Sequence, residues 1–119
     1  MKPHTHRFRW RDYRTASGAR PVKVFLDRLS DEEAAAVVAA MKDVAKHGLA
    51  RARHLRDDVY EVRADSERRA FRILFSQETK FILLSLSVFS KKSRKTPLGE
   101  LKLAHSRLRD WRERGGRQP

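Results

Sequence analysis

Four of the five residues at positions 91–95 are cationic, in a stretch, SKKSRKTP, that follows the most apolar run of the chain. Lysine and arginine are the side chains that bind phosphate oxygens, Arg as a planar fork and Lys as a point charge. A predicted helix begins directly after the stretch, and its free N–H groups add positive potential there. The stretch is therefore either a solvated turn that keeps the protein soluble or a loop that binds a polyanion.

Two arginines, Arg63 and Arg72, fall on neighbouring predicted strands and on the same side of the sheet as Glu61. Cations that face each other across a sheet repel, so the pair indicates either an anion site or a salt bridge to Glu61. With the loop at 91–95, the two arginines are consistent with a concave phosphate-binding surface. The alternative is a solvated sheet face on which Glu61 compensates one arginine.

The whole chain is strongly basic, because 28 Lys and Arg against 15 Asp and Glu in 119 residues leave a formal charge of +13. Such a charge predicts a polyanionic partner, nucleic acid or an acidic protein, although solubility in a basic proteome is an alternative. The absence of cysteine excludes disulfides and thiolate metal sites, and a reducing cytoplasm is expected. The apolar run FILLSLSVF is too short to cross a bilayer, and MKPHTHRFRW lacks the apolar block of a secretory signal, so no membrane association is expected.

Hydrophobic periodicity predicts one α+β domain over residues 1–119, with elements in the order β-α-α-β-β-β-α. The predicted elements are a strand over 6–14, a short helix from Pro21, a helix over 31–47, strands over 59–64, 69–75 and 80–89, and a final helix that Thr96 caps and Pro97 starts. Ser30 and Glu33 have the spacing of a capping box, and Gly48 is a natural helix stop. The expected architecture is a twisted, mainly antiparallel sheet with an αα-hairpin and the C-terminal helix packed on one face, and a disordered tail over 113–119.

Alternation along the strands sorts their side chains into two sets. The set expected to lie against the helices is Tyr60, Val62, Phe71, Ile73, Phe75, Ile82, Leu84, Leu86 and Val88. The opposite set, expected to face outward, is Glu61, Arg63, Arg72, Leu74, Ser85 and Ser87. Trp111 fits the apolar stripe of the final helix and is predicted to be core.

In its order of elements and in five short motifs, the chain resembles the RelE/ParE toxin superfamily, in its HigB-type, phage-derived-toxin-like branch. The matching motifs are TASGARPVKVFLDRL, VYEVRAD, FRILF, FSKKSRKTP and LKLAHSRLRDW, in the family's order over about residues 9–111. The resemblance implies a RelE-like fold. It also implies the toxin of a type II toxin–antitoxin system, a metal-independent mRNA endoribonuclease that cleaves transcripts at the translating ribosome.

The resemblance implies roles for particular residues in that reaction, in which a ribose 2′-OH attacks the adjacent phosphate. Arg63 and Arg72 would contact the scissile phosphate, and Lys91 and Lys92 would stabilise developing charge or transfer protons. Glu61 is a possible base or the partner in a structural salt bridge. The residues expected to bind neighbouring RNA are Arg53, Arg94 and Lys95, and His54 is the histidine to test as a general base. Many relatives carry a histidine where this chain has Ser87.

The same resemblance implies partners but no cofactor. A cognate antitoxin, a helix-turn-helix protein from an adjacent gene, is expected to cover the basic surface in a hetero-oligomeric complex, and mRNA and the ribosome are the expected targets. His4 and His6 have no third ligand nearby, so no metal site is predicted. The alternatives are a ParE-like toxin that inhibits DNA gyrase, a non-catalytic nucleic-acid-binding module, and a degenerate toxin that serves only as an antitoxin partner.

Overall fold

The computed structural model describes residues 7–116, so His4 and His6 lie outside the described residues. The strands are β1 (Arg9–Asp12), β2 (Arg53–Arg56), β3 (Val59–Asp65), β4 (Ala70–Gln77) and β5 (Ile82–Ser90). The helices are α1 (Pro21–Asp27), α2 (Asp31–His47) and α3 (Leu98–Glu113), and a 3₁₀ turn follows α2 at Gly48–Arg51. Within residues 7–116, none of the helices combines the length and the apolar character needed to cross a bilayer.

The five strands form one sheet in the order β1-β5-β4-β3-β2. Strands β2 to β5 pair antiparallel, and β1 pairs parallel to β5 at the edge. The predicted α+β class and antiparallel meander are confirmed. Strand β2 was not predicted, because its four residues include a single apolar side chain, Leu55, and therefore show no period.

The start of α2 is held by the predicted capping box. Ser30 Oγ accepts from the backbone N–H of Glu33 (3.2 Å), and the Glu33 carboxylate accepts from the backbone N–H of Ser30 (3.3 Å). Glu33 also receives two hydrogen bonds from the Arg69 guanidinium, at 2.9 and 3.2 Å. The cap therefore fixes α2 to the turn that precedes β4. At the other end, Gly48 stops the helix with a positive φ of 83°.

Helices cover both faces of the sheet, so the predicted one-sided arrangement is wrong. The side chains buried with α1 and α2 are Phe8, Val22, Val37, Val44, Ala45, Val62, Ala64, Phe71, Ile73, Phe75, Leu83 and Val88. Those buried on the α3 face are Tyr13, Val59, Leu74, Leu84, Leu86, Phe89, Ala104, Leu108 and Trp111. The core role of Trp111 is confirmed. Of the six residues predicted to face outward only Arg63 is exposed, and the prediction is wrong for the five that are buried: Glu61, Arg72, Leu74, Ser85 and Ser87.

A β-bulge explains why the two faces were sorted incorrectly. Leu74 pairs with Ser87, but the next residue of β4, Phe75, pairs with Ser85, so Leu86 is an extra residue in β5. The extra residue reverses the alternation, and Leu84 and Leu86 therefore lie on the α3 face instead of beside Ile73. Strict alternation cannot anticipate such an insertion.

The ends of α3 differ from their predicted positions. Helix α3 begins at Leu98 with Pro97 as its N-cap residue, and Thr96 makes no capping hydrogen bond. Residues 113–116, predicted as part of a disordered tail, are ordered, because Glu113 is the last residue of α3 and the N–H of Gly116 donates to the carbonyl of Trp111 (2.9 Å). Residues 117–119 lie outside the described residues.

The link between Glu33 and Arg69 is expected to make stability depend on pH. The hydrogen bonds from Arg69 are the main reason that the pKa of the Glu33 carboxyl falls from 4.5 to about 2. A carboxyl whose pKa is lower in the folded chain stabilises the fold above its unfolded pKa, and the contribution is lost as the pH falls through the folded pKa. Glu33→Gln should therefore lower the free energy of unfolding at neutral pH, and its difference from wild type should shrink between about pH 4.5 and about pH 2.

Urea denaturation across that pH range measures the difference, with the exposed neighbour Glu32→Gln as the matched control. A Glu33→Gln deficit that stays constant over the range would contradict the role given to the ion pair. The control should show no comparable pH-dependent deficit.

Candidate nucleic-acid interface

A hollow of about 580 Å³ lies where β2, β3 and β4 meet the loop at 91–97, which we call the basic loop. Its lining residues are Ala50, Arg51, Ala52, Arg53, Glu61, Val62, Arg63, Arg72, Lys91 and Arg94. Six of these side chains are cationic and one is acidic, and we call this site the arginine hollow. The structure thus brings together six of the nine residues that the sequence predicts for the site.

The strand register explains why these side chains converge. Arg63 is paired directly with Arg72 between β3 and β4, and Arg53 is paired with Glu61 between β2 and β3. Paired residues point to the same face of a sheet, and so do residues two apart on one strand. All four side chains therefore project from the face on which Leu74 packs.

A buried polar network forms the floor of the arginine hollow. Glu61 and Arg72 are only 7% and 3% exposed, and Arg72 Nε lies 3.6 Å from Glu61 Oε2. Thr96 Oγ1 donates a hydrogen bond of 2.6 Å to the same carboxylate oxygen. On the solvent side, Arg53 Nε lies 3.8 Å from Glu61 Oε1. The carboxylate is therefore shared by two guanidinium groups and a hydroxyl, which suits a structural anion and not a free proton acceptor.

The remaining donors of Arg72 hold the basic loop. Its Nη2 donates to the carbonyl oxygens of Ser93 (2.7 Å) and Arg94, and its Nη1 donates to Thr96 Oγ1 at 3.4 Å. Together with the ion pair between Nε and Glu61, these contacts engage all three guanidinium nitrogens with the protein. Arg72 therefore positions the basic loop, and at 3% exposure little of its guanidinium is accessible to a ligand in this conformation.

The cations that do face outward are on the rim of the arginine hollow. The side chains of Arg53 and Arg63 are 61% and 56% exposed, and Arg63 Nε also contacts Asp65 at 2.9 Å. Arg94 is exposed, and Lys91 is half-buried. The backbone N–H of Lys91 donates to the carbonyl of Ala70 (2.7 Å), which extends the strand pairing to the mouth of the hollow. An anion that entered the hollow would meet these side chains before the buried floor.

Three of the predicted residues do not line the arginine hollow. Lys92 and Lys95 are exposed on the basic loop. His54 is paired with Tyr60, so it projects from the opposite face to Arg53, and its ring lies 4.8 Å from that of Tyr60. His54 Nε2 is also bonded to the carbonyl of Asp57. The His54 imidazole therefore lies on the other face of the sheet from the hollow and does not reach a phosphate bound there.

Two polar residues of the site, Thr96 and Arg51, were not predicted from the sequence. Thr96 was assigned to the helix cap, and its contact with Glu61 spans 35 positions of the chain, so no local pattern reveals it. Arg51 lines the hollow from the 3₁₀ turn, where its Nε lies 3.8 Å from an Asp43 carboxylate oxygen. Their role follows from the packing of α3 and the 3₁₀ turn beside β3, which is a tertiary feature.

Ser87, where the resemblance implies a histidine, is not part of the hollow. It is 3% exposed, and its hydroxyl donates to a Glu100 carboxylate oxygen at 3.1 Å, which ties β5 to the first turn of α3. Among residues 7–116 no three His, Asp or Glu side chains cluster in a way that would hold a metal ion. The chemistry available in the arginine hollow is thus the binding of an anion by guanidinium groups and proton transfer by one lysine.

Most of the chain matches a known protein family. Residues 24–109 match the family described as phage-derived protein Gp49-like (DUF891). The matched part includes all of α2, strands β2 to β5 and most of α3, and therefore every residue that lines the arginine hollow. No curated protein matches the chain. Because the match covers well over half of its length, the chain belongs to the Gp49-like family, a family of RelE- and toxin-like proteins.

Proposed function

We propose that the protein is the toxin of a type II toxin–antitoxin pair and cleaves mRNA at the translating ribosome. The observation that carries the proposal is the arginine hollow, in which six cationic side chains surround a single, internally paired carboxylate. A ribose-phosphate group is an anion that suits such a site. The Gp49-like family membership supports a toxin-like function.

The proposed reaction is an internal phosphoryl transfer. The ribose 2′-oxygen attacks the adjacent phosphorus and loses its proton, the P–O5′ bond breaks, and the 5′-oxygen leaves with a proton. The products are a 2′,3′-cyclic phosphate and a 5′-hydroxyl, so the step needs neither a water molecule nor a redox partner. Negative charge develops on the phosphoryl oxygens, and Arg63 and Arg94 on the rim would stabilise it.

We assign proton transfer to Lys91, whose amine would accept the 2′-hydroxyl proton and pass it to the leaving 5′-oxygen. Guanidinium groups do not release protons in proteins, and the Glu61 carboxylate is held in ion pairs with Arg72 and Arg53. Lys91 is the lysine among the described lining residues, and it lies at the mouth of the hollow. We assign Arg72, Glu61 and Thr96 to the positioning of the basic loop.

The exposed cations outside the hollow extend the proposed contact surface. Lys92 and Lys95 project from the basic loop, and the chain carries a net charge of +13. Ribosomal RNA is a polyanion, and electrostatic attraction of this kind falls steeply with salt. We further propose a cytoplasmic setting and a cognate antitoxin, a helix-turn-helix protein from an adjacent gene, that covers the basic surface in a hetero-oligomeric complex.

A translating extract tests the proposal. Addition of the purified protein should produce discrete cleavages within translated mRNA, mapped by primer extension, and the same transcript should remain intact when initiation is blocked. Induced expression should arrest growth, and co-expression of the adjacent gene should restore it. Breaks in DNA that depend on gyrase would instead identify a ParE-like toxin and overturn the nuclease proposal.

A second candidate function is non-catalytic RNA binding. Two observations favour it. The Glu61 carboxylate is already bound by two arginines and by Thr96, and position 87 is a serine. A protein of this kind would bind ribosomes or RNA through the same hollow and leave translated mRNA uncut in the extract.

A further inference from the structure

A second hollow, of about 950 Å³, lies near the start of β5, at the other end of that strand from the basic loop. Its lining residues are Arg7, Phe8, Arg9, Trp10, Lys42, Ala45, Thr79, Phe81 and Ile82. We call it the Phe81 hollow. It combines an exposed aromatic ring with three cations, and no residue of the arginine hollow contributes to it.

Phe81 is held in an exposed position by its backbone. The side chain is among the large apolar groups exposed at the surface, with 63% of the residue accessible. The Phe81 N–H donates to Thr79 Oγ1 (3.1 Å), and its carbonyl accepts from the N–H of Arg9 (2.6 Å). The turn and the parallel pairing with β1 therefore fix the Phe81 backbone at the edge of the hollow, and the exposed ring offers its faces for stacking.

The charged side chains that line the Phe81 hollow are all cationic. Arg7, Arg9 and Lys42 are exposed, and none of the described residues that line the hollow is acidic. No carboxylate of residues 7–116 forms an ion pair with Arg9 or Lys42. By contrast, in the arginine hollow Arg63 is paired with Asp65 and Arg72 with Glu61. Arg9 and Lys42 are thus available to bind an external anion, whereas the Arg7 guanidinium lies over the Phe8 ring, 5.8 Å from its centroid.

We propose that the Phe81 hollow binds single-stranded RNA, with a base stacked on Phe81 and the flanking phosphates on Arg9 and Lys42. A positively charged groove beside an exposed aromatic ring is the arrangement that binds single strands with little sequence preference, because every base has a flat face. An acidic peptide would also satisfy the cations, but its carboxylates would leave the ring of Phe81 without a stacking partner. The observations therefore favour RNA over a protein ligand.

The two hollows are separate binding sites. Strand β5 runs from Ile82, at the Phe81 hollow, to Ser90, next to the basic loop, which is a distance of roughly 25 Å at about 3.3 Å per residue. The Phe81 hollow would therefore bind a part of the RNA that is well away from the phosphate in the arginine hollow. The inference concerns binding alone and does not require that the arginine hollow cleaves RNA.

Fluorescence anisotropy with a fluorescein-labelled oligouridylate and the full chain tests the proposal. Phe81→Ala should weaken binding by about 5- to 150-fold, the range measured for loss of one base–aromatic stack. Leu103→Ala is the matched control, since it truncates another exposed apolar side chain, on α3, and should leave binding unchanged. Phe81→Trp should bind at least as tightly as wild type.

The charge contribution is tested through the salt dependence of binding. The double variant Arg9→Ala, Lys42→Ala should reduce the slope of log K against log salt concentration by about 1.4, since each lost phosphate contact on a single strand removes about 0.7. Lys102→Ala, Arg109→Ala is a control with the same change in net charge, on exposed positions of α3, and should change the slope much less.

Three results would overturn the proposal. The first is equal RNA affinity of Phe81→Ala and Leu103→Ala, and the second is an equal change of slope in the two double variants. The third is displacement of RNA by a polyglutamate peptide whose affinity also depends on Phe81, which would assign the hollow to an acidic protein partner. Cleavage in the translating extract is a separate measurement, so a failed nuclease proposal and a failed Phe81 proposal give different results.

Discussion

Arg72→Met is expected to lower the free energy of unfolding by about 3–5 kcal/mol, because it leaves the Glu61 carboxylate buried without its main partner. Arg72 and Glu61 are 3% and 7% exposed, so water cannot easily replace the guanidinium. The substitution also removes the donors that bind the carbonyls of Ser93 and Arg94. Chemical denaturation measures the loss, and hydrogen exchange at residues 91–97 should report the released basic loop.

A double variant distinguishes the stability lost through the unpaired Glu61 carboxylate from the role of the network in holding the basic loop. In Glu61→Leu, Arg72→Met both charges are removed together, and apolar replacements of a buried pair are often neutral, so stability should return to within about 1 kcal/mol of wild type. Arg72→Met should also lose RNA cleavage by releasing the basic loop, and cleavage should stay lost in the double variant, because the loop is still not held. If the double variant restored cleavage, the positioning role of Arg72 and Glu61 would be wrong. If Arg72→Met were as stable as wild type, the buried network itself would be contradicted.

The sequence was sufficient to predict where the cations meet but not which of them face a ligand. Period-two alternation and short connections place Arg63 and Arg72 on one face of adjacent strands, and the register confirms that they are paired. Burial of Arg72 depends on the basic loop crossing above it and on Thr96 reaching Glu61 over 35 positions. Such contacts are set by tertiary packing and cannot be predicted from the spacing of residues in the sequence.

Errors in the fold prediction have equally specific causes. The bulge at Leu86 shifts half of β5 to the other face, and this allows α3 to bury Leu84 and Leu86 while α1 and α2 cover Ile73. A sheet with helices on both faces needs apolar side chains in both alternating sets of its strands. Leu74, an apolar residue in the set predicted to face outward, was the one indication of this in the sequence. His54 was misplaced because β2, which sets its direction, has too few residues to show a period.

Two neighbouring lysines provide the sharpest test of the proposed active site. Lys91 lines the arginine hollow, whereas Lys92 is exposed next to it and does not. Lys91→Ala should reduce the rate of mRNA cleavage in a translating extract by about 10²- to 10³-fold, the loss measured when one preorganised donor to developing charge is removed. Lys92→Ala changes the net charge equally and should cost less than about 5-fold, since an exposed charge contributes little.

Substitution by arginine then distinguishes the two roles that Lys91 can have. Lys91→Arg keeps the positive charge but cannot transfer a proton, because the guanidinium remains protonated. If Lys91 is the proton-transfer group, Lys91→Arg should bind RNA as wild type does and cleave almost as slowly as Lys91→Ala. Recovery of cleavage in Lys91→Arg would restrict Lys91 to electrostatic stabilisation, and equal losses in Lys91→Ala and Lys92→Ala would show that the basic loop acts only through its total charge.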